Sequence, residues 1–464
     1  MLKNFRKKFI GNRAFYAMVL GIVVPIMIQN GITNLVNLLD NIMVGRLGTE
    51  QMSGVSIVNQ LIFVYNLCIF GGLSGAGIFT SQYYGQKDEE GIRHTFRYKF
   101  WMAIILTIGV IGAFLVFGEQ LIGLYLKGNS DGGDLAATLS YGISYLRIML
   151  LGLPAFMMLQ IYASTLRECG ETVVPMKAGL VAVAVNLVFN YLLIYGKFGF
   201  PELGVAGAGV ATVLSRYVEA FIVVYWTHKH KEKNTYIIGM YRTMKVPVPV
   251  VKKIFIKGTP LLLNEALWSA GMAMLSQCYS VRGLNVVAGL NIANTVNNLF
   301  SVVYIAMGSA VAIIVGQHLG AGRMKEARDT DNKLIVFGMM SCVVMATFML
   351  FAAPYFPLLY NTSAAARNQA TAFIMAQAIF MAQNSFLHTT YFTLRAGGKT
   401  VITFFFDCVS LWLVSIPVVF VLSRFTNIPA HFIYAAGQMA DWGKCVFGFV
   451  LVKKGVWLQN IVKK

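Results

Sequence analysis

Twelve long apolar runs leave this chain of 464 residues few folds to choose from. They fall at about 14–38, 51–79, 98–118, 135–163, 173–196, 203–227, 258–281, 286–316, 334–355, 369–393, 400–423 and 430–452. A helix that crosses a bilayer needs ~20 largely apolar residues, so each run is long enough for one span. Within hydrocarbon every backbone N–H and C=O must be satisfied internally, which favours α-helices. Only 12% of residues are charged, against about 25% in soluble domains. The expected fold is therefore an all-α integral membrane protein of twelve transmembrane helices, with no soluble domain to house an enzyme site.

The formal net charge is +19, and its distribution decides what it means. Lys and Arg concentrate in one alternating set of connections: the N-terminal segment (Lys3, Arg6, Lys7, Lys8, Arg13), the central loop, the C-terminal tail and three further loops. The opposite set holds Arg46, Lys127, Lys197, Arg282, Arg367 and Arg424. The positive-inside rule then places both termini in the cytoplasm. Basicity here is an orientation signal, with some attraction to anionic lipid. Nucleic acid is excluded as a partner because the charges are scattered without a reading module. The basic, then apolar N-terminus reads as a retained first helix rather than a cleaved signal, since its apolar run is too long and no A-x-A-like site follows. Cys68, Cys169, Cys278, Cys342, Cys408 and Cys445 show no C-x-x-C spacing and read as small packing residues.

The chain repeats itself. With a fixed offset of 235, Pro25 meets Pro260, Gly48 meets Gly283, Asn59 meets Asn294, Gln82 meets Gln317, Gly85 meets Gly320 and Arg93 meets Arg328. Farther on, Leu166-Arg167-x-x-Gly170-x-Thr172 matches Leu394-Arg395-x-x-Gly398-x-Thr400 at an offset of 228. Six spans per half, an even number, make the repeats parallel, with a transport cavity expected between them. The domain reading is an N-terminal six-helix lobe (1–227), a cytoplasmic linker (228–257) and a C-terminal six-helix lobe with a cytoplasmic tail (258–464). Gly85 and Gly320 close their spans, where a glycine permits a helix C-terminal turn.

Charged groups inside the spans are the informative ones, because Asp at mid-bilayer costs ~2.5–3.5 kcal/mol and normally faces a cavity or a partner. Asp40 ends a stripe formed with Gln29, Asn30, Thr33 and Asn37 on one helical face. Asn186 and Asn190 lie one turn apart, and their amide oxygens can coordinate Na⁺ or hold a protonated carboxyl; Asn pairs also join membrane helices. Glu265 follows Pro260 and shares a face with Trp268, Ser269, Met272 and Ser276. A carboxylate beside an aromatic ring and a thioether suits a lipophilic cation. Asp407 is expected to share a cavity with Glu265, where two close carboxylates would not both ionise. Helix capping by Asp40 and interhelical hydrogen bonds at Glu265 and Asp407 are the structural alternatives. Arg216 with Glu219, and Asp441 with Lys444, are spaced i, i+3 and read as mutually neutralising pairs.

At these residues the chain resembles the multidrug and toxic compound extrusion (MATE) family. The resemblance is carried by Pro25 with Asp40-x-x-Met43-Val44-Gly45-Arg46-Leu47-Gly48, by Gln82-x-x-Gly85, and by Leu166-Arg167-x-x-Gly170-x-Thr172. Asn186-x-x-x-Asn190, Gly204-Val205-x-Gly207-Ala208-Gly209-x-Ala211-Thr212, Pro260, Leu394-Arg395-Ala396-Gly397-Gly398 and Pro417 complete it. It implies two six-helix lobes around a V-shaped cavity and export of cationic or amphipathic compounds in exchange for inward Na⁺ or H⁺, without a cofactor. It also implies a first-helix acid, Asp40, with partners Asn186, Asn190 and Thr212, a helix one that bends at Pro25, and a helix-seven acid, Glu265. The chain departs from the family at helix ten, where Gln383-Asn384 stands in place of an expected Asp, and Asp407 on helix eleven is the substitute. Asn190 lies where some members carry Asp, and the amide-rich site favours Na⁺, at Asp40 or at Glu265.

The expected coupling set is thus Asp40, Asn186, Asn190, Thr212, Glu265 and Asp407. The expected substrate contacts are Met27, Gln29, Asn37, Met43, Asn264, Trp268, Met272 and Asn384, with the Met and Trp side chains as an adaptable wall. The protein is expected to act as a monomer. A flippase for a lipid-linked saccharide or other polar lipid is the alternative, but it calls for several cations facing the ligand's phosphates, and apart from Lys99 and Lys177 near span ends only Arg147, Arg216 and Lys444 lie within the spans. An uncoupled channel or scaffold would leave the acids dispensable.

Overall fold

The computed structural model describes residues 9–126, 134–360 and 362–463; Lys3, Arg6, Lys7, Lys8 and Lys127 of the charge pattern lie outside them. The described residues are almost wholly helical. In the first half, α1 (Arg13–Gly45), α2 (Thr49–Gln86), α3 (Glu89–Leu126), α4 (Leu135–Glu168), α5 (Val173–Tyr195) and α6 (Val205–Lys229) each match one expected span. Asp134 starts α4 by accepting the backbone N–H groups of Ala136 and Ala137. α1 continues as a helix through Pro25.

In the second half, α7 (Val248–Ser280) is intact, but three expected spans are broken in two. Residues 286–316 divide at Ser301 into α8 (Leu284–Phe300) and α9 (Val302–Gly320). After α10 (Met324–Ala352), residues 369–393 divide at Phe380 into α11 (Ala364–Ile379) and α12 (Met381–Ala396), bent by 51°. α13 (Thr400–Phe425) contains two π-helical stretches, Phe405–Val409 and Leu411–Ser415. The last span divides at Asp441 into α14 (Ala430–Ala440) and α15 (Trp442–Lys454). Among the described residues nine helices are long and apolar enough to cross a membrane, and a tenth span is the bent pair α11–α12. α7 falls short in apolarity because Asn264, Glu265 and Ser269 interrupt it, and α14 and α15 are each too short alone.

Contacts divide the chain into two units. One comprises residues 28–77 and 89–252, the other residues 1–27, 78–88 and 253–464. In the first, small residues let backbones approach: a Cβ on Gly207 of α6 would meet Leu193 O of α5 at 2.4 Å. The central loop, expected as a plain linker, is docked on α3. Arg93 donates to Tyr236 O, Arg97 to Met240 O and Trp101 to Met244 O. Lys99, fully buried on α3, pairs with Glu168 of α4 at 2.5 Å.

The second unit has two apolar cores. One joins Val19, Val23 and Ile26 of α1 to α9, α12, Phe406 and Trp457; the other gathers α8, Phe373, Ile374, Val419 and Ile433. The tip of α2 belongs to this unit and crosses α9 reciprocally. A Cβ on Gly85 would lie 2.0 Å from Gln317 O, and one on Gly320 would lie 1.9 Å from Gln82 O. The sequence assigns these glycines to helix ends, but close backbone approach is what excludes a side chain there. The left-handed turn residues are Lys87 (φ 60°) and Gly322 (φ 73°), again 235 positions apart. Gln82 then ties in the C-terminal tail: its Nε2 donates to Ala396 O and Gln459 O, and its Oε1 accepts Ile461 N–H.

Candidate functional site

In the first unit α1, α5 and α6 bring the four expected polar residues into one chain. Asn190 Nδ2 donates to Asp40 Oδ1 at 2.6 Å and to Asn186 Oδ1 at 3.1 Å. Asn186 Nδ2 in turn donates to Thr212 Oγ1 at 3.4 Å, and that hydroxyl donates to Ala208 O. The i, i+4 spacing of the two asparagines makes the relay continuous, since both lie on one face of α5. Both are buried, whereas Asp40 is half-buried. With both hydrogens of Asn190 Nδ2 engaged, its amide oxygen faces away and has no hydrogen-bond partner. A carboxylate, a buried free amide oxygen and a hydroxyl are the hard oxygen donors that an alkali cation takes. Arg216 is held by Glu219 at 3.6 Å, as the spacing predicts.

The second unit has its own acidic site, built by α7, α12, α13 and α15. Asn264 Nδ2 donates to Asp407 Oδ2 at 3.0 Å and to Tyr391 Oη at 3.4 Å, and Tyr391 Oη donates to Glu265 Oε1 at 3.5 Å. The two carboxylates are therefore connected through Asn264 and Tyr391. The Lys444 ammonium lies 3.0 Å from Asp407 Oδ1. The expected Asp441–Lys444 pairing is only electrostatic: the direct bond of Lys444 goes to Asp407, while Asp441, within reach of the same charge, accepts from Ser415 at 3.1 Å. Sequence spacing shows only neighbours along a helix, and Asp407 reaches Lys444 from another one.

The expected substrate contacts are shared between the two units. Met27 packs against both apolar cores of the second unit, while Met43 belongs to the first unit, where its carbonyl accepts from Tyr195 Oη. Trp268 and Met272 are exposed on α7, and Asn37 is exposed on α1. Gln29 is half-buried and close to Gly179 of α5. Of the set, Asn264 alone makes a side-chain hydrogen bond to the Asp407 group among the described residues. Asn384 is half-buried, and neighbouring Gln383 donates to Gln438 O.

Sequence reasoning missed Tyr391, which bridges Asn264 and Glu265, and the role of Lys444. It also missed Asp331, fully buried on α10 and accepting from Thr393 Oγ1 at 2.6 Å. The hydrophilic residues around Asp331 made it look like part of a loop, so no signal in the sequence separated it.

A duplicated, all-helical membrane protein with an acidic, amide-lined site in each unit is the class these features define. The profile of the MatE family matches residues 25–192 and 260–421. The chain belongs to the MatE family. The two matches begin at Pro25 and Pro260, the same pair that opens the internal repeat. The chain is 24% identical over 416 residues to the probable multidrug resistance protein NorM of Thermotoga maritima, covering 88% of this chain and 85% of that protein. It is 26% identical over 397 residues to the multidrug resistance protein MdtK of Pectobacterium atrosepticum, covering 85% of each. Its fold is similar to that of a multidrug resistance MATE family transporter of the MOP superfamily, a structure described as outward-facing, with a TM-score of 0.84, 20% identity and 94% and 96% of the two chains covered. A MOP superfamily transporter from Pyrococcus furiosus is equally similar, with a TM-score of 0.85, 19% identity and 95% and 96% covered.

Proposed function

We propose that this chain is a secondary active antiporter that exports cationic or amphipathic small molecules in exchange for inward Na⁺. It works as a monomer in the bacterial inner membrane, with both termini in the cytoplasm. The multidrug resistance relatives support the export reading. The observation that carries the choice of ion is the Asp40–Asn190–Asn186–Thr212 chain with its unpartnered Asn190 Oδ1. A proton on Asp40 engages one acceptor at a time, whereas Na⁺ takes several oxygen ligands at once, the carboxylate and the amide oxygen among them. Each Na⁺ that enters contributes about 2.3 kcal/mol per 100 mV of membrane potential, plus its concentration gradient.

The test is efflux of a fluorescent organic cation from proteoliposomes under an imposed Na⁺ or H⁺ gradient. A Na⁺ gradient is expected to drive the wild type, and Asp40→Asn and Asn190→Leu are expected to lose at least tenfold of that rate. Glu265→Gln and Asp407→Asn, assayed alongside, measure how far the second unit contributes. Gradient-driven transport retained in Asp40→Asn, Glu265→Gln and Asp407→Asn alike would refute acid-dependent coupling. Transport driven by H⁺ alone would refute the choice of ion.

A further inference from the structure

The second unit contains a cation of its own. Lys444 Nζ is 3.0 Å from Asp407 Oδ1 and 5.5 Å from the centroid of the Phe406 ring. The other carboxylate oxygen accepts from Asn264. Asn264 is 2% exposed, yet its amide oxygen has no hydrogen-bond partner. A buried acceptor without a donor bears its full desolvation cost. Such an atom, beside a carboxylate already occupied by a lysine, marks a place where a donor fits but is not supplied by the protein.

The surroundings give Lys444 somewhere else to go. Asp407 lies in the π-helical stretch Phe405–Val409, and a second such stretch ends at Ser415, whose hydroxyl donates to Asp441. π-helical turns are rare and frequently occur at functional sites. Asp441 sits at the α14–α15 break, three residues before Lys444. Side chains at that spacing are neighbours, with Cβ atoms about 5–6 Å apart on a regular helix. A lysine stem is long and flexible enough to exchange one carboxylate for the other.

We propose that Lys444 is a resident counter-ion of the Asp407–Asn264 site, and that an organic ammonium bearing at least one N–H takes that site by driving Lys444 from Asp407 to Asp441. The incoming ammonium pairs with Asp407, donates to Asn264 Oδ1, and faces the Phe406 ring as Lys444 leaves it. A quaternary ammonium carries the same charge but has no hydrogen to donate, so it leaves Asn264 Oδ1 unpartnered. Charge is conserved at each step, because Lys444 neutralises Asp441 as the substrate neutralises Asp407. Lys444 thereby determines specificity, through competition, and Asp441 sets how readily it yields. The inference rests on the antiport reading only in taking the organic cation as the transported species.

Binding is measured on the full chain purified in detergent, by fluorescence titration with dansyl-cadaverine, a primary ammonium, and with its trimethylammonium analogue. When a resident group occupies a site, apparent affinity falls by the fraction of free sites; with about one site in ten free, removing that group strengthens binding about tenfold. Lys444→Met is expected to bind dansyl-cadaverine about tenfold tighter. Asp441→Asn keeps the acceptor for Ser415 but removes the second charge, and is expected to bind it about tenfold more weakly. Asn264→Leu is expected to abolish the preference for the primary over the quaternary probe. If Lys444→Met does not fold, Asp441→Asn decides, because the Lys444–Asp407 pair is intact in it; unchanged affinity there overturns the proposal. Equal wild-type affinity for the two probes also overturns it, as does tightening of Na⁺ binding alone in Lys444→Met. Wild-type efflux under a gradient is measured in parallel: its absence refutes the antiport reading, while the binding titrations decide the role of Lys444 separately.

Discussion

Replacing Gly320 by alanine attacks the tightest helix crossing in the second unit. The added Cβ would stand 1.9 Å from Gln82 O and 2.5 Å from Gln82 C and Cα, where real Cβ contacts are essentially never under 3.0 Å. The obstructing atoms are backbone, so no rotamer change relieves them, and the tip of α2 must withdraw from α9 by about 1 Å. That movement strains the bonds from Gln82 to Ala396 O (2.9 Å), Gln459 O (3.2 Å) and Ile461 N (2.9 Å), and the bond from Asn460 to Gly320 O (2.8 Å). At about 0.5–1.5 kcal/mol net for each bond, the loss is on the order of 3 kcal/mol. In a thermal melt of the purified protein in detergent, a downward shift of about 3 °C is expected, since 464 residues melt with about 1 kcal/mol/K of entropy. Gly85→Ala, with its Cβ 2.0 Å from Gln317 O, should behave alike. Gly109→Ala is the control, since nothing lies within 4 Å of its added Cβ. Wild-type melting of both Gly320→Ala and Gly85→Ala would show that the two backbones do not meet as described.

Three further outcomes are expected. Lys99→Met removes the buried partner of Glu168 and should cost about 3–5 kcal/mol, much of it recovered when Glu168→Gln is added; a melt of the single and double variants measures this. Arg97→Leu removes the donor to Met240 O and Gly239 O, so limited trypsin digestion should cut faster at Arg242 and Lys245, with the fragments identified by mass spectrometry. The six cysteines are free, so electrophoretic mobility should not change on reduction; a shift would show a disulfide that the fold does not contain.

Much of the fold was legible because its causes are local. Long apolar runs need only length and composition to be read as helices, and the first six spans agree with α1–α6. The breaks at Ser301, Phe380 and Asp441 were not legible, since no proline or charge cluster marks Ser301 or Phe380, and Asp441 looked like half of a salt bridge. In the first unit, residues grouped from helical spacing and family resemblance do meet, because Asn186 and Asn190 share one helix face. The second site depended on long-range partners. Asp407 finds Lys444 across 37 positions and Asn264 across 143, distances over which periodicity carries no information. The substrate-contacting methionines were not legible for another reason: a Met that packs in a core and a Met that meets a ligand look identical in a span that must be apolar anyway.

The docked central loop bears on how a doubled chain could arise. Arg93 holds Tyr236 O just after α6, and Arg328, its counterpart 235 positions later, reaches Lys453 O at the end of α15 at 3.5 Å. In each repeat, an arginine near the start of the third span grips the segment that leaves the sixth. A single-repeat ancestor with this contact would already have had its tail fastened to itself. Fusion of two copies then required little new architecture: beyond Met244, the last residue bonded to α3, only Lys245, Val246 and Pro247 precede α7. For protein engineering the same anchoring divides the loop in two. The exposed tip at Lys231–Lys233 is a place to insert a tag, whereas deletions within 236–244 would remove what α3 holds.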